Sequence, residues 1–134
     1  MNKQVAKGHF EVKLGPEPLS QAAGESGLGR MSLDKHFSGD LQATSHGEML
    51  AFRSSVTGSA GYVAMEKVSG VLSGRKGTFV LQHSSTMTRG VPHQAIQVVP
   101  DSGSDALLGL QGNMQIIITD GQHGYEFEYS LSDA

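Results

Sequence analysis

The stretch Gly61–His83, GYVAMEKVSGVLSGRKGTFVLQH, decides how this chain reads. Its residues alternate with a period of two on either side of a Gly-rich turn, the pattern of two antiparallel strands. A turn at Arg75-Lys76, flanked by Gly74 and Gly77, pairs Leu72 with Phe79, Gly70 with Leu81 and Val68 with His83. Paired residues share a face of a sheet, so Tyr62, Ala64 and Glu66 continue this one. The opposite face holds Lys67, Ser69, Thr78, Gln82 and Ser84, with Val63, Met65, Val71 and Val80 among them. The first face is the better interior. Glu66 and His83 then lie on a diagonal, roughly 7–8 Å apart at the backbone, so their side chains can meet.

The end of the chain carries the same logic. Asp120-Gly121 between alternating runs is a strong hairpin signal, and it pairs Thr119 with Gln122. Ile118 then faces His123, Ile116 faces Tyr125, Met114 faces Phe127, Gly112 faces Tyr129 and Leu110 faces Leu131. That face is apolar and aromatic throughout. The other carries Gln111, Asn113, Gln115, Glu126, Glu128 and Ser130. A slip of one residue would destroy this segregation. Further strands are predicted at His9–Leu14, at residues 28–37, over Leu41–Arg53 with an interruption near His46-Gly47, and at Ala95–Val99. Gly15–Gly27 and Ser85–His93 read as loops. Ser38-Gly39-Asp40 reads as a three-residue hairpin loop. With mostly short connections, about eight strands form one all-β domain over residues 1–134, a closed antiparallel barrel rather than a sandwich.

Composition agrees. Charged residues make up 17% of the chain, below the usual share of roughly 25%. Eighteen glycines are spread among the alternating runs, about twice average usage, as in small all-β domains. The net charge is -3 and the ten Lys and Arg are scattered, so no basic face is present to neutralise phosphates. There is no Cys, which removes disulfides and thiolate chemistry. The N-terminal residues MNKQVAKGHFEVKL hold no apolar core of a signal peptide, and no window is apolar enough for a membrane helix. A cytoplasmic protein with no nucleic-acid or membrane partner is expected.

A Glu inside an apolar barrel has its pKa raised by desolvation unless a cation or hydrogen bonds offset this. His83 is such a partner. A pair of this kind serves general acid–base chemistry, which makes Glu66 and His83 the candidate catalytic residues. A structural polar network, with Glu66 bonded to a Tyr hydroxyl, His83 or backbone, weighs more heavily than ligand contact, because structural ion pairs perturb pKa values too. Tyr62, Phe79, Tyr125, Phe127 and Tyr129 are the candidate ligand-binding residues on the interior face. The six histidines show no ligand spacing, so neither a metal nor a cofactor is expected. His36, His46 and His123 read as solvent-facing. Asp101–Asp105 lacks the length and terminal Glu of a calcium loop and reads as a turn. Outward Val63, Met65, Val71, Val80 and Ile117 read either as a homo-oligomer interface or as scattered surface apolar residues, and a homo-oligomer is expected.

Tyr62, Ala64, Ser69-Gly70, Gly74, Gly77 and Leu81-Gln82 form a pattern that resembles a hairpin of plant allene oxide cyclases. The resemblance implies an eight-stranded, lipocalin-like barrel and a trimer. In those enzymes a Glu and an Asn on the first strand line the pocket, and Phe10-Glu11-Val12-Lys13 is similar to that strand. The resemblance places Glu11 at the Glu and Lys13 at the Asn, whereas the alternation points Glu11 outward. Over nearly its full length the chain is similar to a bacterial barrel family of unknown function, through KHFSGDL, SHGEML, GYVAMEK, GTFVLQH and LLGLQGNM. The function expected first is binding of a small apolar or amphipathic molecule in the barrel. An isomerase or cyclase using Glu66 and His83 comes second, and a non-catalytic oligomeric scaffold third.

Overall fold

The computed structural model describes residues 3–131. Eight strands run in chain order around a closed antiparallel barrel. They are β1 (Gln4–Glu17), β2 (Gly29–Gly39), β3 (Leu41–Arg53), β4 (Ala60–Leu72), β5 (Arg75–Thr88), β6 (Val91–Val98), β7 (Gln111–Thr119) and β8 (Gln122–Ser130). Single 3-10 turns lie at Gln21–Ala23 and Asp105–Leu107. No helix among the described residues is long and apolar enough to cross a membrane.

The last hairpin has the predicted register, from Thr119↔Gln122 to Gly112↔Tyr129. Asp120 and Gly121 have φ of 52° and 78°, the positive pair that a two-residue I′ turn demands. The β4–β5 hairpin departs from expectation. Its turn is Ser73-Gly74, with φ of 46° and 87°, so Leu72 pairs with Arg75, Val68 with Phe79, Glu66 with Leu81 and Ala64 with His83. The turn lies two residues earlier than predicted. Each pairing partner therefore moves by four residues, an even number that keeps every side chain on its face, so Glu66 and His83 remain diagonal neighbours.

Two expected breaks are absent. Ser85–His93 is not a loop: β5 runs to Thr88, Arg89-Gly90 turns with φ of 46° and 89°, and β6 starts at Val91. This segment stands at the barrel rim, where both faces meet water and polarity stops alternating. Strand β3 is also continuous through His46-Gly47. A Cβ at Gly47 would stand 2.7 Å from Glu66 Cα and 2.9 Å from Glu66 Cβ. The glycine therefore marks a close approach, not a bulge.

The two ends differ. At one end the β2–β3 and β4–β5 turns join residues 99–110 to close the barrel. Val99 N donates to Val80 O at 2.9 Å, and Ser104 N donates to Thr78 O at 2.9 Å. Ser102 Oγ and Ser104 Oγ accept from Val80 N and Thr78 N. The connection thus completes the edge of β5 and drives Leu107 and Leu110 into the floor. Its presence leaves β6 and β7 only one backbone pairing, Gln97↔Asn113. The Gln94 side chain fills the gap, accepting from Ile116 N at 2.9 Å and donating to Ile116 O at 3.4 Å.

The core occupies this closed half. Phe37, Leu41, Leu72, Phe79, Leu81, Tyr125, Phe127 and Tyr129 are all buried there. In the other half the inward residues Val12, Met31, Met49, Tyr62 and Ile116 are only half-buried. Inward Leu14 and Ile118, at the rim, are 50% and 66% exposed. Arg30 Nη1 ties down the β1–β2 connection by donating to Pro18 O at 2.9 Å. The barrel is packed at its base, and its inward side chains become more exposed toward the other end.

Candidate functional site

Three ionisable side chains converge where the packed base meets the open half. Lys35 occupies the inward position of β2 between Leu33 and Phe37, Glu66 that of β4 between Ala64 and Val68, and His83 that of β5 after Leu81. All three are buried. Lys35 Nζ stands 3.0 Å from Glu66 Oε2, and His83 Nε2 stands 3.6 Å from Glu66 Oε1. Lys35 and Glu66 sit on strands separated by β3. Gly47, paired with both Leu33 and Glu66, supplies no side chain at that crossing, and the carboxylate reaches across it.

The layer is close-set but incompletely hydrogen-bonded. Lys35 Nζ also lies 4.9 Å from the centroid of the Phe10 ring and 5.9 Å from that of Phe37, within cation–π range. Ser45 faces inward on β3, paired with Lys35 on one side and Val68 on the other. Its Oγ is buried without a hydrogen-bond partner, as are both carboxylate oxygens of Glu66 and both ring nitrogens of His83. Lys35 and Glu66 are thus an ion pair by distance, and His83 lies close to the same carboxylate; neither contact has ideal hydrogen-bond direction. Such buried unpaired atoms are rare in folded proteins and call for an explanation.

Burial, the largest single influence on Glu66, pushes its pKa up. His83 and the Lys35 ammonium together outweigh it and hold the carboxyl below its ordinary value of 4.5. The upward shift that burial alone predicts is thus reversed, and Glu66 is an anion at neutral pH. Tyr62 stands above the layer, its ring 6.2 Å from that of His83. Burial first, and the Glu66 charge second, push the Tyr62 hydroxyl above its usual range.

The structure brings Tyr62, Glu66 and His83 together and places the other candidates elsewhere. Phe79 stacks on Phe127 at 5.7 Å, and Phe127 on Tyr129 at 5.4 Å. The Tyr125 hydroxyl accepts from Leu41 N at 2.9 Å and donates to Ser38 O at 2.7 Å. These four rings are the packing of the base. Glu11 and Lys13 are exposed, paired with outward His36 and Asp34, so they do not line an interior as the cyclase likeness implied. His36 and His46 are exposed, and His46 Nδ1 lies 3.6 Å from Asp34 Oδ1. Among the described residues no three His, Asp or Glu side chains are grouped to hold a metal. Val63, Met65 and Ile117 are exposed outward, while Val71 and Val80 are half-buried.

Lys35 and Ser45 are the site residues that sequence reasoning misses. The signal exists for the lysine: Met31, Leu33 and Phe37 define the apolar face of β2, and Lys35 has their parity. A Lys is almost never fully buried unless paired, so its position implies a carboxylate partner. A cleft of about 720 Å³ opens where β8 stops pairing with β1; exposed His9, Glu11 and His36 are among its walls, and none of Lys35, Ser45, Glu66 or His83 lines it. Phe10, Val12 and His123 are among its walls.

Comparison with known proteins gives a family and no activity. A family model described as "Protein of unknown function (DUF3224)" matches residues 6–129. The crystal structure of a protein of unknown function from that family, from Shewanella oneidensis MR-1, is similar to this chain. It shares 50% identity, with a TM-score of 0.93, and the match covers 99% of this chain and 100% of that one. No curated protein matches.

Proposed function

The chain belongs to the DUF3224 family, proteins of unknown function, and from that premise we propose that it binds a small molecule with an apolar body and an oxygen-bearing polar head. The head meets the Lys35–Glu66–His83 layer and the body lies along the open half of the barrel. One observation carries this reading: outside the Lys35–Glu66–His83 contacts, the layer leaves Ser45 Oγ and His83 Nδ1 buried without a hydrogen-bond partner. Each such atom costs roughly 1–3 kcal/mol when left unmade. A ligand head that donates and accepts hydrogen bonds offsets that cost. The walls above suit the body, since Val12, Met31, Met49, Tyr62 and Ile116 are mostly apolar and stay half-buried. Eight-stranded barrels have room for one small ligand.

The size follows from the fold. From Glu66 to Ala60 β4 climbs six residues, which at ~3.3 Å each and a tilt of ~40° makes a wall about 15 Å high. That suits a chain of about ten carbons, so decan-1-ol is the probe. Calorimetry is expected to show one site, weakened about tenfold by Met49→Ala and unchanged by Leu50→Ser on the outer face. Absence of binding heat, together with no retained molecule in native mass spectrometry of the purified protein, overturns the reading.

The ionised state of Glu66 favours a second reading, proton transfer on a bound substrate. A carboxylate flanked by His83 at 3.6 Å and Lys35 at 3.0 Å can accept a proton while the Lys35 ammonium holds developing negative charge. Loss of deuterium exchange at the α-carbon of 2-decanone in Glu66→Gln is its expected signature. Equal exchange with and without protein excludes it for that substrate class.

A further inference from the structure

We infer that Lys35 is a covalent site: its amine condenses with the carbonyl group of an aldehyde or ketone held in the barrel, giving a protonated imine whose counter-ion is Glu66. The inference rests on the proposed binding of a small molecule and names the head group as a carbonyl.

Four features of the layer meet the needs of this reaction. First, an amine must lose its proton before it attacks. Glu66 Oε2, 3.0 Å from Lys35 Nζ, is the resident acceptor. Second, the tetrahedral adduct must lose its oxygen as water, which needs a proton returned to it. Glu66 holds that proton, and His83 stands 3.6 Å from the same carboxylate to relay or replace it. Third, the carbonyl oxygen and the adduct hydroxyl need a hydrogen-bond partner in a buried place. Ser45 is the direct cross-strand neighbour of Lys35, and its Oγ is buried and unpartnered. Fourth, the carbonyl must reach the amine. The Lys35 side chain keeps 6% of its surface open while that of Glu66 keeps 0%, so an incoming group meets the lysine first.

The step balances in atoms and charge. The C=O carbon gains a bond to Nζ and loses its oxygen, and R₂C=O plus the ammonium gives R₂C=NH⁺–Lys35 plus water. No oxidant or reductant takes part. A protonated imine carries the same single charge as the ammonium it replaces. The ion pair with Glu66 and the contacts with Phe10 and Phe37 therefore persist in the product. Removing one partner of a buried pair is strongly unfavourable, and this reaction removes neither. The five other lysines, Lys3, Lys7, Lys13, Lys67 and Lys76, are exposed and lack this arrangement.

The test is decanal with cyanoborohydride, which reduces the imine to a stable alkylamine, read by intact mass and peptide mapping. Lys35 is expected to be alkylated roughly a hundredfold faster than any exposed lysine, the gain typical of positioned acid–base groups. Lys35→Arg keeps the charge beside Glu66 and is expected to lose the fast adduct. Ser45→Ala is expected to slow the adduct about tenfold. Uniform labelling of the exposed lysines, or a fast adduct that survives in Lys35→Arg, overturns the inference. If decan-1-ol still binds in that case, the binding reading stands without it. If neither probe engages the barrel, both fall.

Discussion

The base and the open half of this barrel are built from the same strands, yet obey different rules. In the base, inward residues are large, aromatic and buried, and the polar atoms among them are bonded: Tyr125 to Ser38 and Leu41, Tyr129 to Gln4 at 3.0 Å. One layer higher, Lys35, Ser45, Glu66 and His83 are equally buried but leave polar atoms unpartnered. Above them the walls are only half-buried. The base gains stability from packing, and the layer above it retains charge that packing alone does not require. The contrast separates the packed base from the layer that carries the candidate site.

Phe127→Ala tests the base hardest. Its ring contacts Phe79 and Tyr129, and truncation is expected to destabilise by about 3–5 kcal/mol in urea unfolding. A loss below about 1 kcal/mol, the size of an ordinary surface change, would mean that the base is not the packed region. Lys35→Met probes the charged layer. It leaves Glu66 buried beside only His83, and removing one partner of a buried pair is worth about 3–5 kcal/mol. The double change Lys35→Met with Glu66→Leu is expected to recover most of that loss, because apolar replacement of a buried pair is often neutral. Failure to recover would show that the pair organises the barrel as well as the site.

Gly47→Ala strikes the join between the regions. Its new Cβ would collide with Met65 O and stand 2.7 Å from Glu66 Cα, so a loss of about 1–3 kcal/mol is expected from overpacking. The variant is also expected to weaken decan-1-ol binding, since Glu66 must shift. The acid limb of stability reads Glu66 directly. Its folded pKa lies below 4.5, so the folded state takes up a proton less readily than the unfolded chain does. The stabilisation from this group is whole above pH 4.5 and is lost as pH falls through the folded value. Glu66→Gln is expected to flatten that part of the stability–pH curve. The smallest effect belongs to the open half: Met31→Ala, on a half-buried wall, is expected to lose less than about 1 kcal/mol. A loss equal to that of Phe127→Ala would mean that the upper half is packed shut.

Much of the fold is legible in the amino-acid sequence. Alternation in residues 108–131 assigns the faces of β7 and β8, and Asp120-Gly121 sets their register. The β4–β5 register is harder to read, because Ser73 does not advertise a positive φ as Asp or Asn does. Arg75-Lys76 between glycines looks the better turn. The fold is insensitive to that error because faces repeat every two residues. The polar rim of β5 and β6 reads as a loop because neither of its faces is buried, so no alternation marks it.

By itself the sequence determined which side chains point inward: period-two polarity does so, and Tyr62, Glu66 and His83 followed from it. Lys35 had the same parity, but parity does not say which strands face one another across a barrel. Only the tertiary structure decided that Lys35 and Glu66 meet, because their contact spans β3 and depends on the missing side chain of Gly47. It also decided which end is packed, through the 99–110 connection that closes one mouth and leaves the other open. Contacts across a closed sheet depend on stagger and strand order, and those are properties of the whole barrel rather than of any one hairpin.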